Sequence, residues 1–379
     1  MPGTPPGSPL DELTEDPHPV LARLRASEPV SWRPELNAWL VTRHDLALRV
    51  LRDTAAFTVD DPRFATAVVV GPSMLSTDGA EHARHRGPFT RDFRPAEVRA
   101  RFGEFAAERA RRLVADLRKS PVAEIRRGLA GPLAVAVIAH ALGLAETGAD
   151  RVLAWYDAIV SAVTGIAAGE TPGPAGAAAF GELRASVEHT VRGDASLLAE
   201  AARGLELPEV VSNAAVLMFG GIETTEGMIA NAAGHLLGHP AQLALVRADP
   251  GLLPRAIEES LRLEPAAAVV DRYATADAEL GGARIRRGEQ VTVSLAGANR
   301  DPAVFADPDA FDLRRADLRR HLAFAHGPHF CVAADLARLE TRVALRALLD
   351  ASPDVRLDGP FRPRGLVFRK PEALFVRWA

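Results

Sequence analysis

The sequence contains almost no cysteine: a single one, Cys331, in 379 residues. A lone cysteine excludes an internal disulfide framework and a zinc site built from CxxC pairs, and it is typical of a protein kept in a reducing cytoplasm. No run of 18 apolar residues is present, which argues against a membrane span. The N-terminal stretch MPGTPPGSPLDELTEDPHP lacks the apolar segment of a secretory signal peptide. We therefore expect a cytoplasmic protein without a membrane segment.

A strong charge excess is also missing. The chain carries 45 Lys and Arg against 49 Asp and Glu, a formal net charge of −4, and its sequence pI is about 6.3. This balance argues against a nucleic-acid partner, which would favour a strongly basic surface. Hydrophobic residues make up 47% and charged residues 25% of the chain, as in ordinary globular proteins.

Helical periodicity dominates the chain from about residue 81 to residue 263. A stretch rich in Pro, Gly and Ala, residues 169–181, interrupts it and predicts a linker between two helices. The alternating residues 271–301 predict small β-sheets. The first 18 residues are rich in proline, so we expect them to be disordered, and we assign residues 19–379 to a single domain. The predicted fold class is mainly α with small β-sheets.

Cys331 lies between a turn-rich stretch and a helical pattern. A thiolate is a soft metal ligand, but clusters and zinc sites need several ligands, so one cysteine suits a single axial bond to haem iron. Gly327 and Pro328 favour a tight turn whose backbone N–H groups can point at the sulfur. A buried, inert cysteine is the alternative.

A glycine pair interrupts a strongly apolar helical run. Gly220 and Gly221 each weaken a helix by about 1 kcal/mol relative to alanine, and Glu223 and Thr224 are costly in apolar surroundings unless they have partners. Thr224 can donate to a carbonyl one turn earlier and open the helix locally. Close helix packing is the alternative explanation for the glycines.

The stretch FAHGPHFCVA, residues 324–333, resembles the haem-binding loop of the cytochrome P450 family. It keeps the family's Phe, Gly, His and Cys, and it departs at Ala325 and Ala333, where glycine is usual. The resemblance extends over nearly the whole chain and implies a triangular prism of helices around a buried haem b. It also implies that Cys331 is the axial ligand of the haem iron and that Phe324 contacts the haem.

The segment GGIETT, residues 220–225, resembles the oxygen-binding signature of the same family. This resemblance implies that Gly220 and Gly221 let the haem and O2 approach the helix backbone. It also implies that Thr224 opens a groove for water and that Glu223 relays protons from outside.

Glu259 and Arg262 lie three residues apart on a predicted helix, so they share a face and can pair. Taken alone, ExxR is a common string and predicts a surface pair of little value, and Glu258 is an alternative partner for Arg262. In the cytochrome P450 family an ExxR pair ties its helix to an arginine ahead of the haem cysteine. The resemblance implies this structural role here, with Arg315 as the third partner.

The two haem carboxylates need cationic or donor partners when they are buried. The segment EHARHR places His82 and Arg86 on one helical face and resembles the family's HxxxR helix. Arg272 and His329 complete the set of four that the resemblance implies. Each residue alone is also consistent with a solvated charge or an ordinary histidine.

The resemblance further implies an apolar substrate pocket beside the haem. Plain core packing is the alternative for each of its residues. The residues expected to line it are Met74, Leu75, Val216, Phe219, Ala267, Ala268, Val270, Val367 and Phe368.

Together the motifs imply a haem-thiolate monooxygenase that inserts one oxygen atom of O2 into an apolar organic substrate, by hydroxylation or epoxidation, in secondary metabolism. Two alternatives stay open: oxidative coupling or ring formation without net oxygen insertion, and non-catalytic haem binding. We expect a monomer that takes electrons from a separate ferredoxin with its reductase. Five arginines flank the cysteine loop in the sequence: Arg314, Arg315, Arg319, Arg320 and Arg338. We expect one or two of them to be bound within the fold and the rest to form a basic docking patch, with a solvated charged face as the alternative.

Overall fold

Helices make up most of the fold. The computed structural model describes residues 8–167, 173–193 and 196–378. Its α-helices are α1 (Pro9–Glu15), α2 (His18–Ser27), α3 (His44–Arg52), α4 (Ala65–Val70), α5 (Gly79–Thr90), α6 (Pro95–Leu117), α7 (Gly131–Leu142), α8 (Ala149–Ala167), α9 (Pro174–Thr190), α10 (Leu197–Ala201), α11 (Leu207–Gly238), α12 (Pro240–Ala248), α13 (Leu253–Leu263), α14 (Leu295–Ala298) and α15 (Ala334–Ala351). Within those ranges, no helix combines the length and the apolar character that crossing a membrane requires.

The strands are short and form small sheets. They are β1 (Val30–Arg33), β2 (Ala38–Val41), β3 (Phe57–Thr58), β4 (Val122–Glu124), β5 (Val269–Ala274), β6 (Ala278–Leu280), β7 (Ala283–Ile285), β8 (Gln290–Ser294), β9 (Arg356–Leu357), β10 (Pro363–Arg364), β11 (Lys370–Pro371) and β12 (Phe375–Arg377). The largest sheet has the order β1–β2–β8–β5–β3, in which β2 and β8 are parallel and the other neighbours are antiparallel. Thr58 of β3 lies opposite Tyr273 of β5, so Arg272 on β5 lies close to the chain that follows β3.

The helix α11 is buried along most of its length within the main hydrophobic core. Its start is fixed by a capping box, in which the side chains of Glu206 and Glu209 each accept from the other's backbone N–H. Apolar residues then follow on all faces, which is the pattern of a helix enclosed by other elements. The helices α7, α13 and α15 pack against it.

The structure corrects the prediction of disorder for residues 8–18. The side chain of Ser8 accepts from the backbone N–H of Asp11 at 3.2 Å, and the carboxylate of Asp11 accepts from the N–H of Ser8 at 3.3 Å, which starts α1. Leu13 of α1 is 3% exposed and packs beside Leu40. This capping box and the apolar contact outweigh the proline-rich composition. Residues 1–7 lie outside the described ranges, and the single domain over residues 19–379 remains a prediction.

The predicted linker over residues 169–181 is also corrected in its second part. The helix α9 begins at Pro174 and continues through the alanines to Thr190. Proline is favoured in the first turn of a helix, where its missing N–H costs nothing, and alanine has the highest helix propensity. Residues 168–172 lie outside the described ranges.

Candidate functional site

Cys331 lies directly before α15, after a short 3₁₀ turn over Gly327–His329. Its backbone N–H donates to the carbonyl oxygen of Phe324 at 3.0 Å and closes the loop. Burial raises the pKa of the Cys331 thiol, while the backbone N–H of Ala333 and the charge of Arg86 act in the opposite direction. Cys331 is half-buried, and a thiolate in these surroundings would need a cation beside it, which a ligated metal ion would supply.

The two positions at which the loop departs from the family's glycines differ in conformation. Ala325 has a φ of 57°, in the left-handed region, where an L-residue with a side chain costs about 1–2 kcal/mol. Ala333 has a φ of −96° and carries no such strain. Gly327, with a φ of 73°, could not be replaced, since an added Cβ would lie 2.5 Å from the carbonyl oxygen of Leu51.

The two glycines of α11 face different surroundings. Gly220 is exposed within an otherwise buried stretch, and an added Cβ would meet no atom within 4 Å, so an open cavity lies beside it. An added Cβ at Gly221 would lie 2.9 Å from Ile138 of α7. The structure therefore corrects the assignment of Gly221 to the cofactor, because its missing side chain serves close helix packing.

Thr224 and Glu223 have defined partners. The hydroxyl of Thr224 donates to the carbonyl oxygen of Gly220 at 2.6 Å, the bond to the preceding turn that the sequence predicts. The carboxylate of Glu223 accepts from the hydroxyl of Tyr156 on α8, and it forms an ion pair with Lys370 at 2.8 Å. Burial and the charge of Glu223 raise the pKa of Tyr156, so this hydroxyl stays protonated and donates.

The ion pairs continue from Glu223 along α11. Lys370 also contacts Glu226, and Glu226 forms an ion pair with Arg126, at 3.1 Å between Oε1 and Nε. Sequence reasoning missed Tyr156 and Lys370 because both are distant in the chain from the motif and neither belongs to a recognisable pattern. The carboxylate of Glu223 is therefore bound at both oxygens by Tyr156 and Lys370, which lie on other elements.

The four residues predicted for the haem carboxylates come together near the start of α5. The rings of His82 and His329 lie 4.3 Å apart between centroids, and Arg86 donates to the carbonyl oxygen of Phe330 at 2.7 Å. The Nε2 of His82 and the Nε of Arg272 are buried without a hydrogen-bond partner among the described residues. Buried donors of this kind are rare unless a ligand pairs with them, and the carboxylates of haem fit them.

Asp78, which the sequence analysis did not single out, lies among these four residues. Its carboxylate accepts from Nε2 of His329 at 2.7 Å. Burial lowers the pKa of His82 to about 4, and the nearby charges of His329 and Arg86 act in the same direction. His82 is thus a neutral histidine in this structure.

The glutamate of the ExxR motif is fully buried and binds two arginines. Arg262 donates to both oxygens of Glu259, at 2.7 Å and 2.8 Å, and Arg315 donates to the same carboxylate at 3.0 Å. Glu258, the alternative partner of Arg262, instead binds Arg338 and His321. The structure therefore brings together the three side chains predicted for the structural triad.

Part of the predicted substrate wall lies together. The rings of Phe219 and Phe368 meet edge to face at 5.5 Å between centroids, and Ala267 pairs with Phe368 through a β-bridge. Ala268 is a correction: it packs in a separate cluster with Leu13, because successive residues of an extended strand point to opposite faces. Val367 is 43% exposed, and its place in the pocket wall remains a prediction.

The remaining predicted pocket residues are distributed over two clusters. Met74 and Val216 are buried in the main core, and Leu75 packs against it in a half-buried position. Val270 is half-buried and packs against the cluster beneath the largest sheet. Met74, Leu75, Val216 and Val270 therefore stay predicted pocket residues.

Only part of the predicted docking patch is available to a partner. Arg315 is 8% exposed and bound to Glu259, and Arg338 is paired with Glu258 at 2.7 Å. Both charges are compensated within the fold, so neither belongs to the docking patch. Arg314, Arg319 and Arg320 are exposed.

Comparisons with known proteins identify the fold and the family. The family model described as Cytochrome P450 matches residues 247–351. Cytochrome P450 monooxygenase PikC of Streptomyces venezuelae is 35% identical over 392 residues, which cover 97% of this chain and 92% of that protein. Nocardicin C N-oxygenase of Nocardia uniformis subsp. tsuyamanensis is 35% identical over 97% of both chains.

A solved structure shows the same architecture. The cytochrome P450 enzyme CxnD, for C–S bond formation in chuangxinmycin biosynthesis, superposes with a TM-score of 0.86 at 30% identity and covers 97% of each chain. The predicted fold, mainly α with small β-sheets, is confirmed. The chain therefore belongs to the cytochrome P450 family, as an oxygen-incorporating oxidoreductase whose cofactor is haem b held through a cysteine thiolate.

Proposed function

We propose that this enzyme inserts one oxygen atom of O2 into an apolar organic substrate of secondary metabolism, by hydroxylation or epoxidation. The observation that carries this proposal is the hydrogen bond within α11 by which Thr224 donates to the Gly220 carbonyl beside an open cavity. Glu223 directly precedes Thr224. An acid and a hydroxyl at this place can supply protons to the cavity. A protein that only bound haem would have no use for the pair, and the relatives are monooxygenases by name.

In this proposal Cys331, as the only cysteine of the sequence, is the axial ligand. Arg272 and His82 hold the haem carboxylates through their unpartnered nitrogens, with Arg86 and His329 beside them. Bound haem supplies the activation of oxygen. The protein contributes the site's orientation and excludes water by its apolar surroundings.

Glu223 and Thr224 move protons between the outside and the cavity. Tyr156 and Lys370 occupy both carboxylate oxygens of Glu223, so one of these contacts must open before the carboxylate can exchange a proton with water. The Thr224 hydroxyl donates to the Gly220 carbonyl, and a bond of this kind can open a helix locally and admit water beside the carbonyl. Phe219, Ala267 and Phe368 are the substrate-contacting residues that the observed contacts favour.

Thr224→Ala and Glu223→Gln test this proton path. We expect both variants to bind substrate and to consume NAD(P)H, but to release a larger share of the electrons as hydrogen peroxide because proton delivery fails. The measurement is the ratio of product and peroxide to NAD(P)H consumed. Thr225→Ala, one position further along the same helix, is the control and should keep the wild-type ratio. Unchanged coupling in both test variants would contradict the proposal.

Oxidative coupling or ring formation without net oxygen insertion is the second candidate. It is supported by the likeness to CxnD, whose reaction is C–S bond formation. Turnover under ¹⁸O2 separates the two, because oxygen insertion places the label in the product and coupling does not.

We propose that the physiological electron donor is a ferredoxin, reduced by its own reductase, and that the ferredoxin docks beside Arg314, Arg319 and Arg320.

We further propose that the enzyme acts as a monomer in the cytoplasm. Light scattering of the purified protein tests the monomer, since a mass of twice 40.4 kDa would indicate a dimer instead.

A further inference from the structure

Asp78 connects the segments that carry the donors for the haem carboxylates. It is the N-cap residue of α5, the helix of His82 and Arg86. One carboxylate oxygen accepts from the Thr58 hydroxyl at 2.6 Å and from the Val59 N–H at 2.9 Å. These two residues lie at the end of β3, which pairs with the strand of Arg272.

The other oxygen of Asp78 is bound by the cysteine loop. It accepts from Nε2 of His329 at 2.7 Å, in a contact where the His329 side chain is 5% exposed and that of Asp78 is 16% exposed. His329 lies two residues before Cys331 in the sequence. The carboxylate thus contacts the cysteine loop and the end of β3, while the backbone of Asp78 stands at the N-cap position of α5.

The groups around Asp78 favour its anionic form. Arg272 is 4% exposed. Burial lowers its pKa, and the charge of Asp78 is the larger of the two carboxylate influences that act in the opposite direction. Burial alone would raise the pKa of Asp78, but its bonds to His329, Thr58 and Val59 lower it to about 2. The residue is therefore an anion over the whole neutral range.

We propose that Asp78 is a positioning residue for haem binding: it fixes His329, and with it the cysteine loop, against α5 and β3 so that the four carboxylate donors face one place. This inference rests on the proposed haem site. All three partners of the carboxylate point a hydrogen at it, with the hydroxyl of Thr58 as donor. An asparagine would therefore have to turn its amide nitrogen towards one of these donors.

The test is the rate at which the haem-loaded protein loses haem to an excess of apomyoglobin. We expect Asp78→Asn to lose haem at least about tenfold faster than the wild type, since removing a residue that orients a ligand typically costs 10–100-fold. Asp249→Asn is the control: Asp249 likewise stands at the N-cap position of a helical turn, and its carboxylate accepts from Gly251 N–H at 2.9 Å. It should lose haem at the wild-type rate.

A double-mutant cycle with His329→Gln separates positioning from a general loss of stability. If Asp78 acts through His329, Asp78→Asn should accelerate haem loss much less in the His329→Gln protein. The inference is overturned if Asp78→Asn changes haem loss by less than about twofold, or if the two substitutions act independently. Either result with a normal thiolate spectrum would leave the proposed function standing, whereas an abnormal wild-type spectrum would remove its basis.

Discussion

Two glutamates are fully buried in unlike surroundings. Glu340 of α15 has an oxygen without a hydrogen-bond partner among the described residues, and burial raises its pKa well above the usual 4.5. Glu264 is paired with Arg369 at 2.5 Å and with His18 at 3.0 Å. Burial would raise the pKa of Glu264 too, but these partners lower it to about 2.

The two residues should therefore shape the pH dependence of stability with opposite signs. The folded protein keeps the proton of Glu340 at pH values where the unfolded chain releases it, so this residue makes the native state less stable as the pH rises above about 4.5. Glu340→Gln should remove that loss and give a higher free energy of unfolding at pH 8 than the wild type. Urea unfolding between pH 5 and pH 8 measures it.

Glu264→Gln tests the opposite pH dependence of stability. The paired carboxylate contributes stability above pH 4.5 that is lost as the pH falls towards 2, so the glutamine variant should be about 3 kcal/mol less stable at pH 7 because a buried arginine loses its partner. If Glu340→Gln lowered stability at pH 8 as well, the buried acid would have a partner that this structure does not show.

Ala325 offers a direct test of backbone strain in the cysteine loop. Because glycine adopts its φ of 57° freely, Ala325→Gly should stabilise the protein by about 0.5–1 kcal/mol, the strain less the larger chain entropy of glycine. Ala333→Gly is the control, since a φ of −96° is relaxed for alanine and no gain is expected. Equal effects of the two substitutions in chemical unfolding would contradict the strain.

The triad of Glu259, Arg262 and Arg315 ties α13 to the segment ahead of the cysteine loop. Arg262 also donates to the carbonyl oxygens of Pro308 and Ala310, at 2.6 Å and 3.0 Å, so the pair fixes a stretch with little regular structure. Within buried surroundings the removal of one charged partner costs about 3–5 kcal/mol. The triad is therefore a structural element rather than a catalytic one.

We expect Glu259→Ala and Arg262→Ala to yield protein without bound haem, because the cysteine loop loses its anchor. The haem content per chain, from the Soret absorbance and the protein concentration, is the measurement. Arg314→Ala is the control, since this arginine is next to Arg315 but exposed. Normal haem content in both triad variants would remove the role assigned to them.

The sequence predicts elements well where the signal is local. The helical period over residues 81–263 and the partners of Glu259 follow from spacing and from the resemblance to the family. Disorder over residues 8–18 was wrong because composition does not register a capping box such as that of Ser8 and Asp11. Ala268 was wrong because the strand's alternation turns it away from Ala267.

Contacts between distant segments limited the prediction of the site in the molecule as a whole. Tyr156 and Glu223 are 67 residues apart and Asp78 and His329 are 251 apart, and neither pair belongs to a motif that the sequence displays. The arginines near the cysteine loop show the same limit, because their partners can also lie in distant segments. The pairing of Arg338 with Glu258 is seen only in the packed structure, whereas the pairing of Arg315 with Glu259 is the one that the ExxR resemblance implies.

The exposed arginines ahead of the cysteine loop should govern association with an acidic ferredoxin. Arg319→Glu combined with Arg320→Glu should slow ferredoxin-supported reduction by about tenfold at low salt and weaken its dependence on ionic strength. Stopped-flow reduction with ferredoxin at several salt concentrations measures both. Arg284→Glu with Arg287→Glu reverses two exposed arginines of a separate hairpin and should leave the rate unchanged. Equal rates for the two double variants would contradict docking at this surface.

The central claim is that Cys331 holds haem as a thiolate in a catalytic cytochrome P450. The absorption spectrum of the purified protein, reduced with dithionite under carbon monoxide, tests it most directly. The account predicts a strongly red-shifted Soret band, and it predicts that Cys331→Ser lacks this band. A Soret band at the shorter wavelength typical of a protonated thiol or histidine ligand, or no haem band in well-folded protein, would contradict the claim.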